Sequence, residues 1–150
     1  MAKIFAIDPG TTQSAYVIYS NSRLIEFGIL DNEMMRDKAK STHGNILAIE
    51  MVASYGMAVG KEVFETCFWS GRFVEAWGGE FVKVYRKEVK MHLCHSMRAK
   101  DANIRQAIMD RYGSTREAAI GTKKNPGPLY GVSKDVWAAL GVAITAGAKI

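Results

Sequence analysis

The stretch that decides the fold is Ile4-Phe5-Ala6-Ile7-Asp8-Pro9-Gly10-Thr11-Thr12. Apolar residues lead into one acid and a tight turn, and the alternating run 14–19 follows, which together predict a hairpin of two strands. This arrangement holds the Asp8 carboxylate at the end of a sheet, where it can bind a metal ion. A simple turn role for Asp8 stays open, because Asp, Pro and Gly all favour turns. Acids elsewhere in the chain must decide between the two interpretations.

A second apolar run, residues 45–52, carries the single charge of Glu50. An isolated carboxylate is costly to bury inside such a strand. We therefore expect Glu50 at the exposed end of the strand, paired with another group or bound to a cation.

The third candidate is Asp135, which precedes the almost uncharged segment 136–144. An acid in the first turn of a helix, behind Ser133 as N-cap, is favoured by the helix dipole and needs no further role. The alternative is that the helix packs on the sheet and carries Asp135 towards Asp8 and Glu50. Small and apolar residues at helical spacing favour this packing: Ala138, Ala139 and Val142.

Length, charge and cysteine content narrow the class of protein. A chain of 150 residues predicts one domain, 1–150, and the net charge of +5 favours a polyanionic partner. We expect no membrane span and no secretory signal, and so a cytoplasmic protein. The two cysteines, Cys67 and Cys94, are expected as reduced thiols in the core.

Hydrophobic periodicity predicts a series of strands and helices in which the three acids lie on three different elements. A long helix joins the Glu50 strand to the next strand, so these two strands should pair in parallel. One apolar stripe of that helix is expected to pack on the sheet. The other stripe forms either a homodimer contact or an intramolecular cluster. The loop 121–131 is basic and is expected to be mobile. The predicted strands are 3–8, 14–20, 24–30, 45–52 and 81–86, and the helices are 59–77, 101–112 with Asp101 as N-cap, and the Asp135 helix.

In this order of elements the chain resembles the RuvC-type Holliday junction resolvases of the ribonuclease H-like superfamily, most of all their bacteriophage members. The resemblance covers nearly the whole chain and implies an α/β fold, with a mixed five-stranded sheet flanked by helices. It rests on the motifs 7–12, 48–50, 88–101 and Asp135 with 138–143.

The resemblance further implies a metal-dependent endonuclease that cleaves Holliday junctions and related branched DNA as a homodimer. Asp8, Glu50 and Asp135 match the catalytic acids, with Mg²⁺ as the cofactor and Mn²⁺ as a possible substitute. Family members commonly carry a fourth acid where this chain has Val132. Recombination, DNA repair or debranching of DNA before packaging are the expected uses, in the host cytoplasm if the source is viral.

Phosphodiester hydrolysis needs an activated water and a stabilised leaving oxygen, which two Mg²⁺ ions roughly 4 Å apart supply. Our hypothesis is that Asp8 bridges both ions while Glu50 and Asp135 each complete one site.

Basic residues around the acids are expected to contact DNA phosphates. For each of them the alternative is an ordinary solvated surface charge. Tyr55 is expected to stack on an unpaired base or else to pack within the protein. The candidates are Lys83, Arg86, Lys87, Lys90, Arg98, Lys100, Arg105, Lys123 and Lys124, of which Lys90 and Lys100 fall in the matching segment.

Three other functions remain as alternatives. The first is a structure-selective flap or fork nuclease, and the second is a non-catalytic junction-binding protein. Residues 8–12 also look like the phosphate-binding hairpin of sugar kinases and actin-like ATPases, but those enzymes need two such domains around the nucleotide.

Overall fold

The computed structural model describes residues 3–150. The strands are β1 (Lys3–Asp8), β2 (Gln13–Ser20), β3 (Arg23–Asp31), β4 (Ile46–Met51) and β5 (Phe81–Tyr85). The helices are α1 (Asn32–Ser41), α2 (Lys61–Trp77), α3 (Arg86–Cys94), α4 (Asp101–Tyr112), α5 (Arg116–Ala119) and α6 (Val136–Lys149).

The strands form one mixed sheet in the order β3-β2-β1-β4-β5. Strand β2 pairs antiparallel with both β1 and β3, as expected for strands joined by short turns. Strand β4 pairs in parallel with β1 and with β5. The parallel pairing of β4 and β5 across the long helix α2 was predicted and is confirmed.

Helices cover both faces of the sheet, which explains why β1 and β4 are continuously apolar. Ile4 and Ala6 point to one face and pack beneath α3, α4 and α6, which we call the α6 face. Phe5 and Ile7 point to the other, the α2 face, where α1 and α2 pack. Alternation along each strand therefore decides which side chains can meet.

A buried hydrogen-bond network fixes the turn that follows Asp8. The Ser14 hydroxyl donates to Asn32 Oδ1 at 2.6 Å, and Asn32 Nδ2 donates to the Gly10 carbonyl at 3.0 Å. The Gly10 amide in turn donates to Ser14 Oγ at 3.1 Å. A side chain at Gly10 would bring its Cβ within 2.3 Å of the Gln13 carbonyl oxygen, so only glycine fits this turn.

Several local predictions need correction. Helix α3 was not anticipated, because Arg86 was taken as the last residue of a strand. Helix α4 has Lys100 rather than Asp101 as its N-cap, and α6 has Asp135 rather than Ser133. Both cysteines are unpaired, but Cys67 is exposed and Cys94 only partly buried, so they are not core thiols.

The stripe of α2 formed by Trp69, Phe73 and Trp77 packs on the sheet. The loop 121–131 is held by backbone hydrogen bonds, among them Gly127 N–H to the Ile120 carbonyl at 2.9 Å, and by the buried side chain of Leu129. Within residues 3–150, no helix combines the length and apolarity that crossing a membrane requires.

Candidate active site

Asp8 and Glu50 meet at the carboxyl ends of two neighbouring parallel strands. The register pairs Ile7 with Ile49, so the two acids come next on β1 and β4. Both follow the alternation of Ala6 and Ala48 and therefore point to the α6 face. Their carboxyl groups lie in hydrogen-bonding contact, and the Glu50 side chain is only 12% exposed. The two acids that sequence reasoning selected on separate strands thus form one pair.

The electrostatics of the pair are those of crowded, buried carboxyl groups. Burial raises the pKa of Asp8 well above its usual range, and the hydrogen bond and negative charge of Glu50 raise it further. The charge of Asp135 adds to this, whereas the Arg86 guanidinium lowers the pKa of Asp8. Burial and the two neighbouring acids together favour the neutral form of Asp8.

Asp135 occupies a different kind of position. It is the N-cap of α6, but its side chain makes no capping hydrogen bond. Gly131 and Lys134 precede it with positive φ angles of 87° and 50°, so the backbone turns sharply into the helix. Its charge reaches Asp8. Nevertheless, across the described residues no three His, Cys, Asp or Glu side chains lie close enough together to hold a metal ion.

The residues present suit a hard divalent cation. The donor set consists entirely of carboxylate oxygens, and Mg²⁺ is commonly held by one or two carboxylates while it keeps several waters. Asp8 and Glu50 form such a pair, and two buried acids in contact are stabilised when a cation replaces the shared proton. Asp135 can join only if its side chain or the loop before it moves.

Arg86 is the residue whose place the sequence interpretation missed. Val84 lies on the α6 face opposite Glu50 in the β4–β5 register, and Arg86 follows two residues later at the start of α3. Its Nη1 lies 3.8 Å from Glu50 Oε1, and its Nη2 contacts Asp101 Oδ1 at the start of α4. The predicted phosphate ligand is thus an ion-pair partner of a predicted catalytic acid. The parallel register and the alternation of β5 were the signal that could have located it.

Several predicted DNA-binding residues line two cavities that share Arg86, the ion-pair partner of Glu50. Tyr55, Arg86, Lys87 and Lys90 line one cavity of about 340 Å³ together with Met97. A second cavity, of about 190 Å³, is lined by acids and bases of the same region, including Arg86, Asp101, Arg105, Lys134 and Asp135. In the second cavity the Arg105 guanidinium lies 6.0 Å from the centre of the Trp137 ring.

The remaining predicted contacts lie elsewhere. Lys83 points to the α2 face, because it pairs with Ile49 and alternates with Val84 of the α6 face. Arg98 lines a separate cavity between α3 and α4, and Lys100 is the exposed N-cap of α4. Lys123 and Lys124 are exposed on the anchored loop 121–131.

Val132, at the position of the fourth acid in the resemblance, is partly buried and packs against the core of the α6 face. The residue is therefore used for apolar packing in this chain. No acid side chain occupies that position.

A mixed sheet of this order, covered by helices on both faces and ending in acids on adjacent strands, defines the ribonuclease H-like fold. Among solved structures the chain resembles RuvC of Thermus thermophilus, with a TM-score of 0.72 and 14% sequence identity over 97% of this chain and 93% of that one. RuvC of the same organism in complex with a Holliday junction substrate matches with a TM-score of 0.64, again at 14% identity, over 98% and 93% of the two chains. These likenesses show the fold.

No protein-family model matches the sequence, and no curated protein matches it either.

Proposed function

We propose that this protein is a Mg²⁺-dependent endonuclease that cleaves four-way and related branched DNA by phosphodiester hydrolysis. The observation that carries the proposal is the partly buried pair of Asp8 and Glu50 at the ends of adjacent parallel strands. A protein that only bound DNA would gain nothing from two acids beside a phosphate backbone. The RuvC-like fold supports the choice of substrate, since one RuvC structure contains a Holliday junction.

In this proposal the acids are the metal ligands, and Mn²⁺ can replace Mg²⁺. When bound, the metal supplies an activated water and stabilises charge on the leaving oxygen. Asp8 and Glu50 give two carboxylates on one face, and Asp135 completes the site from the start of α6. No side-chain nucleophile is needed. Because the apolar Val132 stands at the position of the fourth acid, water molecules are expected to fill the coordination left vacant there.

The basic residues bind the DNA backbone. Arg86, Lys87 and Lys90 line one cavity, and Arg86 also pairs with Glu50, so these three residues are suited to phosphates next to the scissile bond. Tyr55 lies at the edge of that cavity, exposed and with a positive φ of 50°, where its ring can stack on an unpaired base. More distant phosphates are assigned to Arg98, Lys100, Arg105, Lys123 and Lys124, and Lys83 is the weakest candidate because it points to the α2 face.

The homodimer is assigned to the outward side of α2. Phe64 and Phe68 are 64% and 59% exposed there, which is unusual for large aromatic side chains. Two copies joined by a two-fold axis would present two active sites, which suits paired cuts in a symmetric junction. We expect Phe68→Glu to convert the dimer to a monomer in light scattering, whereas Asp110→Asn, an exposed change on α4, should leave it dimeric.

The test is a cleavage assay on a labelled four-way junction, a flap and a matched linear duplex, each with Mg²⁺ or with EDTA. We expect paired nicks on the junction alone, lost in EDTA and in Asp8→Asn. Asp110→Asn, an exposed acid on α4 outside the site, is the matched control and should cut normally.

The alternatives correspond to distinct results in this assay. Equal cutting of the flap or the duplex keeps the nuclease and removes the junction selectivity. Tight junction binding without cutting under any metal would make the protein a binding module. The proposed cellular role in recombination, repair or debranching requires paired nicks on the junction alone.

A further inference from the structure

One guanidinium links the acid pair to a carboxylate that no step of the proposed chemistry uses. Arg86 lies between Glu50, whose side chain is 12% exposed, and Asp101, whose side chain is 78% exposed. Its Nη1 is 3.8 Å from Glu50, too far for a hydrogen bond, while its Nη2 bonds Asp101 directly. Asp101 therefore holds the side chain, and Glu50 feels its charge.

The fold fixes both ends of this link. Arg86 is the first residue of α3, and Asp101 is the first residue of α4. An acid in the first turn is favoured by the helix dipole, so Asp101 is stabilised where it stands. Helices α3 and α4 pack against the same core through Val89, Leu93, Ile104 and Ile108, which sets the separation of their first residues.

The chemistry of arginine gives the link two possible partners. A guanidinium binds carboxylates and phosphates with the same planar fork of N–H donors. Beside the metal-free acids it is a counter-charge, but a cation so close to Glu50 also opposes the entry of a divalent ion. A residue that draws it away from Glu50 therefore favours metal binding and leaves the fork facing the cavity in which the DNA backbone is expected.

We propose that Asp101 is a positioning residue that keeps Arg86 at the rim of the acid pair, so that metal can reach Glu50 and Asp8 while the guanidinium stays available for a phosphate of the bound DNA. This inference rests on the proposed function, because it concerns the same site. Without Asp101, Arg86 moves onto Glu50 and competes with the metal.

The test is a double-mutant cycle on Mn²⁺ binding, measured by calorimetry without DNA. We expect Arg86→Gln to bind Mn²⁺ about fivefold more tightly than the wild type and Asp101→Asn to bind it about fivefold more weakly. In Arg86→Gln the further change Asp101→Asn should have little effect, because there is no guanidinium left to release. Arg86→Lys keeps the charge but not the fork, so it should respond to Asp101→Asn less than the wild type does.

Junction cleavage is an independent measurement, and Arg86→Gln is expected to lower it although the same change strengthens metal binding. Arg86→Gln should cut the junction more slowly at saturating metal although it binds metal more tightly, since the phosphate contact is lost. Asp110→Asn is the control for removal of an exposed acid on α4 and should change neither quantity. Thermal unfolding in EDTA checks that every variant is folded at the assay temperature.

Two results would overturn the inference. If Asp101→Asn weakens Mn²⁺ binding equally with and without Arg86, Asp101 acts as a plain charge or a direct ligand. If the wild type binds no Mn²⁺, the inference and the proposed function both fail. If the variants bind Mn²⁺ with affinities in the expected order but no DNA is cleaved, the inference stands and only the proposed function is overturned.

Discussion

The two ways in which acids reach the candidate site differ in kind. Asp8 and Glu50 stand on neighbouring strands whose register and alternation leave them one arrangement. Asp135 stands at the start of a helix, after a loop with left-handed residues at Gly131 and Lys134. The strand-borne pair is in contact, whereas the helix-borne acid reaches Asp8 only through its charge.

This difference shows where the site is rigid before any ligand binds. The turn after Asp8 is fixed by buried Ser14 and Asn32, and a one-residue slip of β1 would turn the Asp8 side chain to the opposite face. Asp135 has no capping hydrogen bond to fix its side chain. We therefore expect the pair to set the position of the metal and Asp135 to adapt to it.

The largest effect is expected from Asp8→Asn. Loss of a carboxylate from the preformed pair should lower junction cleavage about a thousandfold, because the charge that holds the metal is removed. Binding of the junction in EDTA should change by less than about twofold, since phosphate contacts come from basic residues. Single-turnover cleavage and a gel-shift titration measure the two quantities. Residual cleavage within tenfold of wild type would show that the pair is not the centre of the site.

A smaller effect is expected from Asp135→Asn. Because Asp135 adapts to the site, its replacement should lower the cleavage rate about ten- to a hundredfold. A higher Mg²⁺ concentration should restore part of this loss. Asparagine is also a good N-cap, so the helix itself should be unaffected. A loss as large as that of Asp8→Asn, with no recovery, would remove the distinction between the two kinds of acid.

Glycine replacements compare the rigidity of the two supporting segments. Gly10→Ala forces a Cβ against the Gln13 carbonyl and should destabilise the protein by about 2 to 3 kcal/mol. Gly131→Ala, at φ 87°, should cost about 1 to 2 kcal/mol because its Cβ meets only the movable Phe27 side chain, at 3.3 Å. Urea unfolding gives both values. The opposite order would mean that the loop before Asp135 is the more tightly built segment.

The smallest expected effect is a pH dependence of the free energy of unfolding that arises from the pair of Asp8 and Glu50. Below about pH 4 both the folded and the unfolded chain carry the Asp8 proton. Above it the unfolded chain loses this proton while the folded chain keeps it, because burial and Glu50 raise the pKa of Asp8. The folded state then binds more protons, so its stability in EDTA falls as pH rises towards that raised pKa.

Asp8→Asn should remove this contribution and stabilise the metal-free protein by about 1 kcal/mol at neutral pH. The measurement is the difference in unfolding free energy between wild type and variant, from pH 4 to pH 9. A difference that stays constant with pH would contradict the raised pKa.

Sequence reasoning was most successful where a short-range pattern determines structure. Asp8 and Glu50 lie at the carboxyl ends of two continuous apolar runs that form strands, and the crossover rule placed β5 beside β4. Both features are local or topological, and both are confirmed. The position of Arg86 beside Glu50 was missed because the pattern changes from strand to helix at that residue. Its contact with Asp101 depends on how α3 packs against α4, which no spacing along the chain reveals.

The predicted basic surface shows the same limit. Lys83 and Arg86 are close in sequence, yet Lys83 on β5 points to the α2 face while Arg86 at the start of α3 reaches Glu50 on the α6 face. Lys87 and Lys90 reach the cavity only because α3 begins where the sequence suggested that a strand continues. Charge clusters in a sequence therefore indicate a polyanionic partner better than they indicate which residues touch it.

The register of β1 and β4 has a consequence for how this gene can change. Removal of one residue within β4 would move Glu50 to the α2 face and bring Ile49 towards the α6 face, so the site would be lost although every acid remained in the sequence. Insertions at 42–45, which lie between α1 and β4, leave that register unchanged. Length variation among natural variants should therefore be found in that connection and be absent from the strands themselves.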